Sequence, residues 1–236
     1  MSNDYFQFRQ FTVRQSRCAM KVGTDGTLLG AWATVPLKPC RVLDIGTGTG
    51  LVALMLAQRF PQASVTALDI DSEAVLQARE NVQSSPFADR IEVIQADAAD
   101  YVAKEPFDVV VSNPPYFEQS LECPDQQRTL ARHAASLTYA QLTRTAFRLL
   151  GDEGTFSVVI PVDCRSRMEG EAALAGFFQS RRCDVRTTPR KAPKRCLIEF
   201  TKHPVTEVYI EEGVLELSPN VRSPWYRQLT DEFYIR

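Results

Sequence analysis

The sequence has little of what would mark a membrane protein, a secreted scaffold or a metalloprotein. No uninterrupted apolar run approaches the roughly 18–20 residues that span a bilayer. The opening MSNDYFQFRQ alternates aromatic and polar residues and lacks the apolar core of a signal peptide. No membrane partner is expected, and a cytoplasmic location follows. Six cysteines (Cys18, Cys40, Cys123, Cys164, Cys183, Cys196) are scattered without C-x-x-C spacing or a neighbouring histidine. Neither a zinc site nor a disulfide framework is expected, and they read as free thiols filling core gaps. Internal repeats, low-complexity tracts and interdomain linkers are also missing.

What is present suits one globular domain with appendages. A chain of 236 residues is long enough to bury roughly 70% of the surface it exposes when unfolded. The formal net charge is only −2, but it is unevenly distributed: residues 60–125 hold 13 acids against 3 bases, and residues 164–203 hold 10 bases against 4 acids. One half can therefore present a positive face to a polyanion. The expected arrangement is a single domain over 1–236: a hairpin and helix cap in 1–40, a core in 41–203 and an extension in 204–236.

From Arg41 onward, short apolar runs alternate with helical periods. RVLDI, SVTALDI, IEVIQ, FDVVVSN and GTFSVVIP read as strands, and LVALMLAQRF, SEAVLQARENVQ, LTYAQLTRTAFRLL and RSRMEGEAALAGFFQS as helices. This alternation predicts an α/β fold, a mostly parallel sheet covered by helices on both faces. RCDVRTT and RCLIEFTK read as a closing hairpin at the sheet edge, and FQF with FTV as a small N-terminal hairpin.

The first strand leads into Gly46-Thr47-Gly48-Thr49-Gly50 and a helix, at the point where open parallel sheets bind ligands. A dinucleotide fingerprint needs a third glycine where Leu51 stands, which disfavours an NAD-dependent oxidoreductase. The loop is instead an acid, Asp44, followed by alternating glycines. A carboxylate there repels phosphate and suits a ligand bearing an ammonium group, such as S-adenosylmethionine. Asp69, ending the second strand, offers two oxygens to ribose hydroxyls, and Ile70 an apolar contact for adenine. Asp97 and Ala98 follow the third strand, where a carboxylate and a backbone N–H can read the adenine edge. The plainer reading of such aspartates is helix capping, which is preferred for Asp71.

DIGTGTG, ALDID and QADA together resemble the S-adenosylmethionine-binding motifs of class I methyltransferases. The resemblance implies a Rossmann-like, seven-stranded, mostly parallel sheet with one antiparallel strand, and S-adenosylmethionine as cofactor.

The fourth strand runs into Asn113-Pro114-Pro115-Tyr116. Two prolines remove two N–H donors and fix φ, so the turn exposes acceptors rigidly; Asn113 adds a side-chain carbonyl. Such a turn can hold both hydrogens of an –NH2 group while Tyr116 stacks on a planar ring. The segment resembles the Asn/Asp/Ser-Pro-Pro-Tyr/Phe motif of amino-group methyltransferases acting on adenine N6, guanine N2 and protein glutamine. Only about forty residues precede the glycine loop, too few for the helical domain of the glutamine enzymes.

RCAMKVGTDGTLLGAWA, with FRQFTV, NPPYF, ARH and the tail DEFYIR, resembles the bacterial tRNA(Val) adenine-N6 methyltransferases, which modify the adenine immediately 3′ of the anticodon. By that resemblance Lys21, Gly23, Thr24 and Asp25 cover the methionine end of the cofactor; read alone, KVGTDG is a turn before a helix, and Trp32 beyond it a core residue. Arg132 and His133 end a long polar loop that can close over substrate. Arg181, Arg182, Arg186, Arg190, Lys191, Lys194 and Arg195 are the candidate RNA phosphate contacts, on strands expected next to the reactive one. The expected partner is tRNA, and the expected state a monomer. Competing readings are a guanine-N2 methyltransferase acting on ribosomal RNA and a noncatalytic RNA-binding module.

Overall fold

The computed structural model describes residues 4–18, 20–115 and 137–235. A hairpin of β1 (Tyr5–Gln7) and β2 (Thr12–Arg14) comes first, as the sequence predicts, followed by α1 (Thr24–Trp32). The parallel unit then runs β3 (Cys40–Ile45), α2 (Leu51–Arg59), β4 (Ala63–Asp69), α3 (Ser72–Gln83), β5 (Ile91–Gln95) and β6 (Phe107–Ser112). Beyond residue 136 come α4 (Tyr139–Leu149), β7 (Leu150–Pro161), α5 (Arg165–Ala175), β8 (Phe178–Arg186) and β9 (Pro193–Thr201). β10 (Tyr209–Val214), a short hairpin of β11 (Glu216–Ser218) and β12 (Val221–Arg222), and α6 (Pro224–Thr230) complete the chain.

The main sheet has the order β10-β8-β9-β7-β6-β3-β4-β5. Only β9 runs against its neighbours, pairing antiparallel with both β7 and β8. The sheet therefore has eight strands rather than the seven expected. The extra one, β10, comes from the C-terminal extension and pairs parallel with β8, satisfying backbone groups that an edge strand would leave open. The pair β8–β9 is consequently internal to the sheet, and it lies two and three strands from β6 rather than beside it.

Burial follows the alternation of the strands. Val42, Val109 and Val111 face a core with α1, α2, α3 and the N-terminal hairpin; Leu43, Val110, Phe156 and Ile160 face a second core with α4 and α5. Helix starts are set locally. Asp71 caps α3 by accepting from Glu73 N at 2.9 Å, and Thr138 forms a capping box with Gln141 at α4. The helix expected to reach Ser180 stops at Ala175, because Gly176 turns left-handed at φ 100°. The five described cysteines are free and buried. Among the described residues, no helix is long and apolar enough to cross a membrane.

Candidate active site

The glycine loop takes its form from three left-handed residues: Gly46 at φ 73°, Gly48 at 56° and Gly50 at 81°. A Cβ at Gly46 or Gly48 would meet nothing within 4 Å, so these two positions open onto free space; one at Gly50 would touch Ala78 of α3 at 3.4 Å. Gly46 N and Thr47 N both donate to Leu68 O at 2.9 Å, which ties the loop to the end of β4. Asp69 tightens the tie, accepting from Gly48 N at 2.7 Å with one oxygen and from Asp71 N at 3.0 Å with the other. With the Ile70 backbone N–H as a third donor, the carboxylate still has a lone pair left for a ligand hydroxyl. Burial raises the Asp69 carboxyl above the usual range, against the pull of its backbone donors.

Asp44 is only 1% exposed and lies beneath the loop, its Oδ2 accepting from Thr47 Oγ1 at 2.6 Å. Burial pushes its carboxyl up to about 7; the Thr47 hydroxyl opposes this and the Asp69 charge adds to it. Its hydrogen bonds thus come from Thr47 of the loop and from the Ala53 backbone at the start of α2. Asp97 accepts from Ala99 N at 2.9 Å, shaping the turn after β5, with Ala98 buried beside it.

These strand ends surround a cavity of about 270 Å³. Gly46, Gly48, Asp69, Ile70, Asp97 and Ala98 form one part of its wall, and Asn113, Pro114 and Pro115 another. Ser112 Oγ donates to Ile45 O at 2.8 Å, holding the ends of β6 and β3 together. The first turn of α1 lies over this junction: a Cβ on Gly26 would sit 3.1 Å from a Leu51 methyl and 3.8 Å from Asn113 Nδ2. The donor set suits S-adenosylmethionine, with side-chain-free backbone for close approach, a carboxylate at the end of β4 for ribose hydroxyls, and an apolar residue beside it.

Lys21, Gly23, Thr24, Asp44 and Gly50 stand outside the cavity wall. Lys21 and Gly23 are exposed and Thr24 opens α1, so KVGTDG spans the turn at Lys21–Gly23 and the first residues of the helix. Asp25 pairs with Arg195. Tyr116, Arg132 and His133 lie outside the described residues.

The seven basic candidates divide into two groups. Arg181 donates to Trp32 O at 2.7 Å, lies 3.6 Å over the Trp32 ring and is 3.9 Å from Glu199. Arg182 faces Asp184 and Glu169, Arg186 reaches Glu212 at 3.0 Å, and Arg195 holds Asp25. Arg190, Lys191 and Lys194 are exposed around the β8–β9 turn. Because β8 runs in the same direction as β6, that turn projects from the edge of the sheet that carries Asn113.

The family model for the Methyltransferase small domain matches residues 27–187. A Bacteroides thetaiotaomicron protein named tRNA1(Val) (adenine(37)-N6)-methyltransferase is 52% identical over 237 residues, covering 100% of this chain and 99% of its own. Proteins of the same name from Porphyromonas gingivalis W83 (43% identical, covering 99% of this chain and 96% of its own) and Flavobacterium johnsoniae (39%, 98% and 99%) match equally completely. The chain belongs to this family. Among solved structures, a predicted O-methyltransferase of Agrobacterium tumefaciens superposes with a TM-score of 0.71 at 21% identity, over 89% of this chain and 96% of that one. The glycopeptide N-methyltransferase MtfA, in complex with S-adenosyl-L-methionine, does so with 0.55 at 14% identity, over 78% of this chain and 100% of that one. Both show the class I methyltransferase fold.

Cys18, Met20, Leu137 and Leu142 line the cavity without having been singled out as site residues in the sequence. The sequence offers no clear signal for Cys18 and Met20, which sit in a mixed run, RCAMKV, without a strand or helix period. Trp32 is 5% exposed, a core residue as its position on an apolar helix predicts.

Proposed function

We propose that this chain transfers a methyl group from S-adenosylmethionine to N6 of an adenine in tRNA, the adenine 3′ of the anticodon of tRNA(Val). The observation that carries the chemistry is that Asn113-Pro114-Pro115 and the Gly46–Gly48 loop line one cavity. The full-length relatives named for this reaction supply the nucleotide and the RNA.

The bound cofactor supplies a methyl group on a sulfonium, to be displaced in line. The chain's own task is to present the amine. An exocyclic adenine nitrogen is a poor nucleophile while its lone pair is conjugated with the ring. The Asn113 side-chain carbonyl and the carbonyls of the proline turn accept its two N–H bonds, favouring the tetrahedral geometry that frees the lone pair. Alignment then dominates the rate. A strong base is not required, because the nitrogen becomes acidic as the methyl bond forms, and its proton leaves to solvent. An anticodon-loop adenine is unpaired, which lowers the penalty for bringing it into the cavity.

Arg190, Lys191 and Lys194 are the RNA phosphate contacts in this account, since they are exposed on and beside a turn at the catalytic edge. Arg181, Arg182, Arg186 and Arg195 serve the fold. The protein works as a cytoplasmic monomer without a metal.

The test is methyl transfer from labelled S-adenosylmethionine to total tRNA and, in parallel, to ribosomal RNA, both from cells lacking the gene, followed by nucleoside analysis. Label is expected in N6-methyladenosine from tRNA. Label in N2-methylguanosine from ribosomal RNA would keep the fold and replace the substrate.

A further inference from the structure

Three residues of α3, one per turn, grip the segment that follows the N-terminal hairpin. Asn81 Oδ1 accepts from Arg14 N at 2.8 Å, while Nδ2 donates to Arg14 O at 2.8 Å and to Thr49 O at 2.9 Å. One buried amide thus joins the end of β2 to the glycine loop. Four residues earlier, Gln77 Oε1 accepts from Arg17 N at 3.3 Å and lies 3.5 Å from Ser16 Oγ. Glu73, another turn back, lies 3.4 Å from the Arg17 guanidinium. Positions 73, 77 and 81 share one face of the helix.

Gln77 is 0% and Asn81 1% exposed. Packing alone would favour apolar residues there, because a buried amide is destabilising unless its polar atoms are matched. Matched to named backbone atoms, it selects one path for the chain. That path delivers Cys18 and Met20 to the cavity wall, which Ile70 and Ala74 also line. Burial raises the Cys18 thiol, and the charges of Asp69 and Asp71 add to the rise.

We infer that Gln77 and Asn81 are positioning residues for the cofactor: they strap Arg14–Arg17 to α3 so that Cys18 and Met20 close the open side of the cleft, and they thereby set how tightly the cofactor is held. The inference rests on the reading of this cleft as the S-adenosylmethionine site. The strap's hydrogen bonds run to Arg14, Ser16, Arg17 and Thr49, beside the glycine loop, so its effect falls on the cofactor and leaves the RNA alone.

The experiment measures S-adenosylmethionine binding to the tRNA-free protein by calorimetry, with amide hydrogen exchange of residues 14–17 alongside. Gln77→Met keeps the length of the side chain and removes its hydrogen bonds. It is expected to weaken binding by about tenfold, the scale of one lost buried hydrogen bond, and to speed exchange at the Arg17 amide. The KM for tRNA stays unchanged. Met20→Ala, at a position 43% exposed, leaves the strap intact and should weaken cofactor binding by about threefold through lost contact area. Phe177→Leu, in the second core, is the stability comparator: it lowers the melting temperature without moving the cofactor Kd. Wild-type affinity in both Gln77→Met and Met20→Ala would overturn the strap, as would an equal loss in Phe177→Leu. A wild-type protein that binds no S-adenosylmethionine would overturn the reading of the cleft, and this inference with it.

Discussion

The two halves of the sheet's carboxyl edge hold their residues in different ways. Around β3, β4, β5 and β6, glycines, aspartates and prolines at strand ends converge on one cavity. Around β8 and β9, four of seven basic residues pair with carboxylates of neighbouring elements, and three remain exposed on and beside a turn. A glycine or proline acts through its own backbone, so the strand end that carries it fixes where it acts. An arginine acts at the end of a long side chain, and its role depends on which acid the fold brings opposite.

The largest expected effect tests the first half. Asn113→Ala should lose turnover by roughly 10²–10³-fold, the usual loss for one preorganised hydrogen-bonding group at a reacting centre, while S-adenosylmethionine still binds. Near-normal turnover would remove Asn113 from the reacting end and dissolve the convergence of that half.

The division within the second half comes next. Replacing Arg190, Lys191 and Lys194 together with alanine should lower the slope of log K against log salt for tRNA binding by roughly two to three, and leave the melting temperature near wild type. Arg195→Ala should do the reverse. It removes the Arg195 partner of the half-buried Asp25 carboxylate and should lower the melting temperature by about 2–4 °C, the shift for about 1 kcal/mol in a protein of this size. Equal salt slopes in the two variants would erase the distinction between exposed and engaged cations.

The smallest effect concerns protons. In the free protein part of Asp44 is neutral near its raised value of about 7, and a cationic ligand favours the charged form. Binding then expels a proton, so affinity for S-adenosylmethionine should rise by about two- to tenfold from about pH 6 to about pH 8, and Asp44→Asn should flatten the rise. For stability the sign is opposite. The folded carboxyl holds its proton more tightly than the unfolded one, so Asp44 contributes most below the ordinary 3.8 and loses that contribution as pH climbs to about 7. Comparison of melting temperature against pH for wild type and Asp44→Asn isolates it.

The comparison also explains what the sequence made legible. Gly46, Gly48, Asp69, Asp97 and Asn113 were readable because alternating strands and helices place them at strand ends, and the ends of neighbouring parallel strands meet at one edge. Asp44 was legible as important, but whether a strand-end acid faces the cavity or lies under the loop depends on Thr47 folding back over it. Cys18 and Met20 were hidden because their placement comes from Gln77 and Asn81, some sixty residues away in sequence. The eighth strand was hidden because β10 is half exposed and lacks an apolar run, its place being set by the open edge of β8.

The most direct measurement is methyl transfer by the purified protein to two unmodified tRNA1(Val) transcripts, one natural and one with guanine replacing the adenine 3′ of the anticodon. The account predicts stoichiometric N6-methyladenosine in the first and no label in the second. Equal labelling of the two transcripts would contradict it.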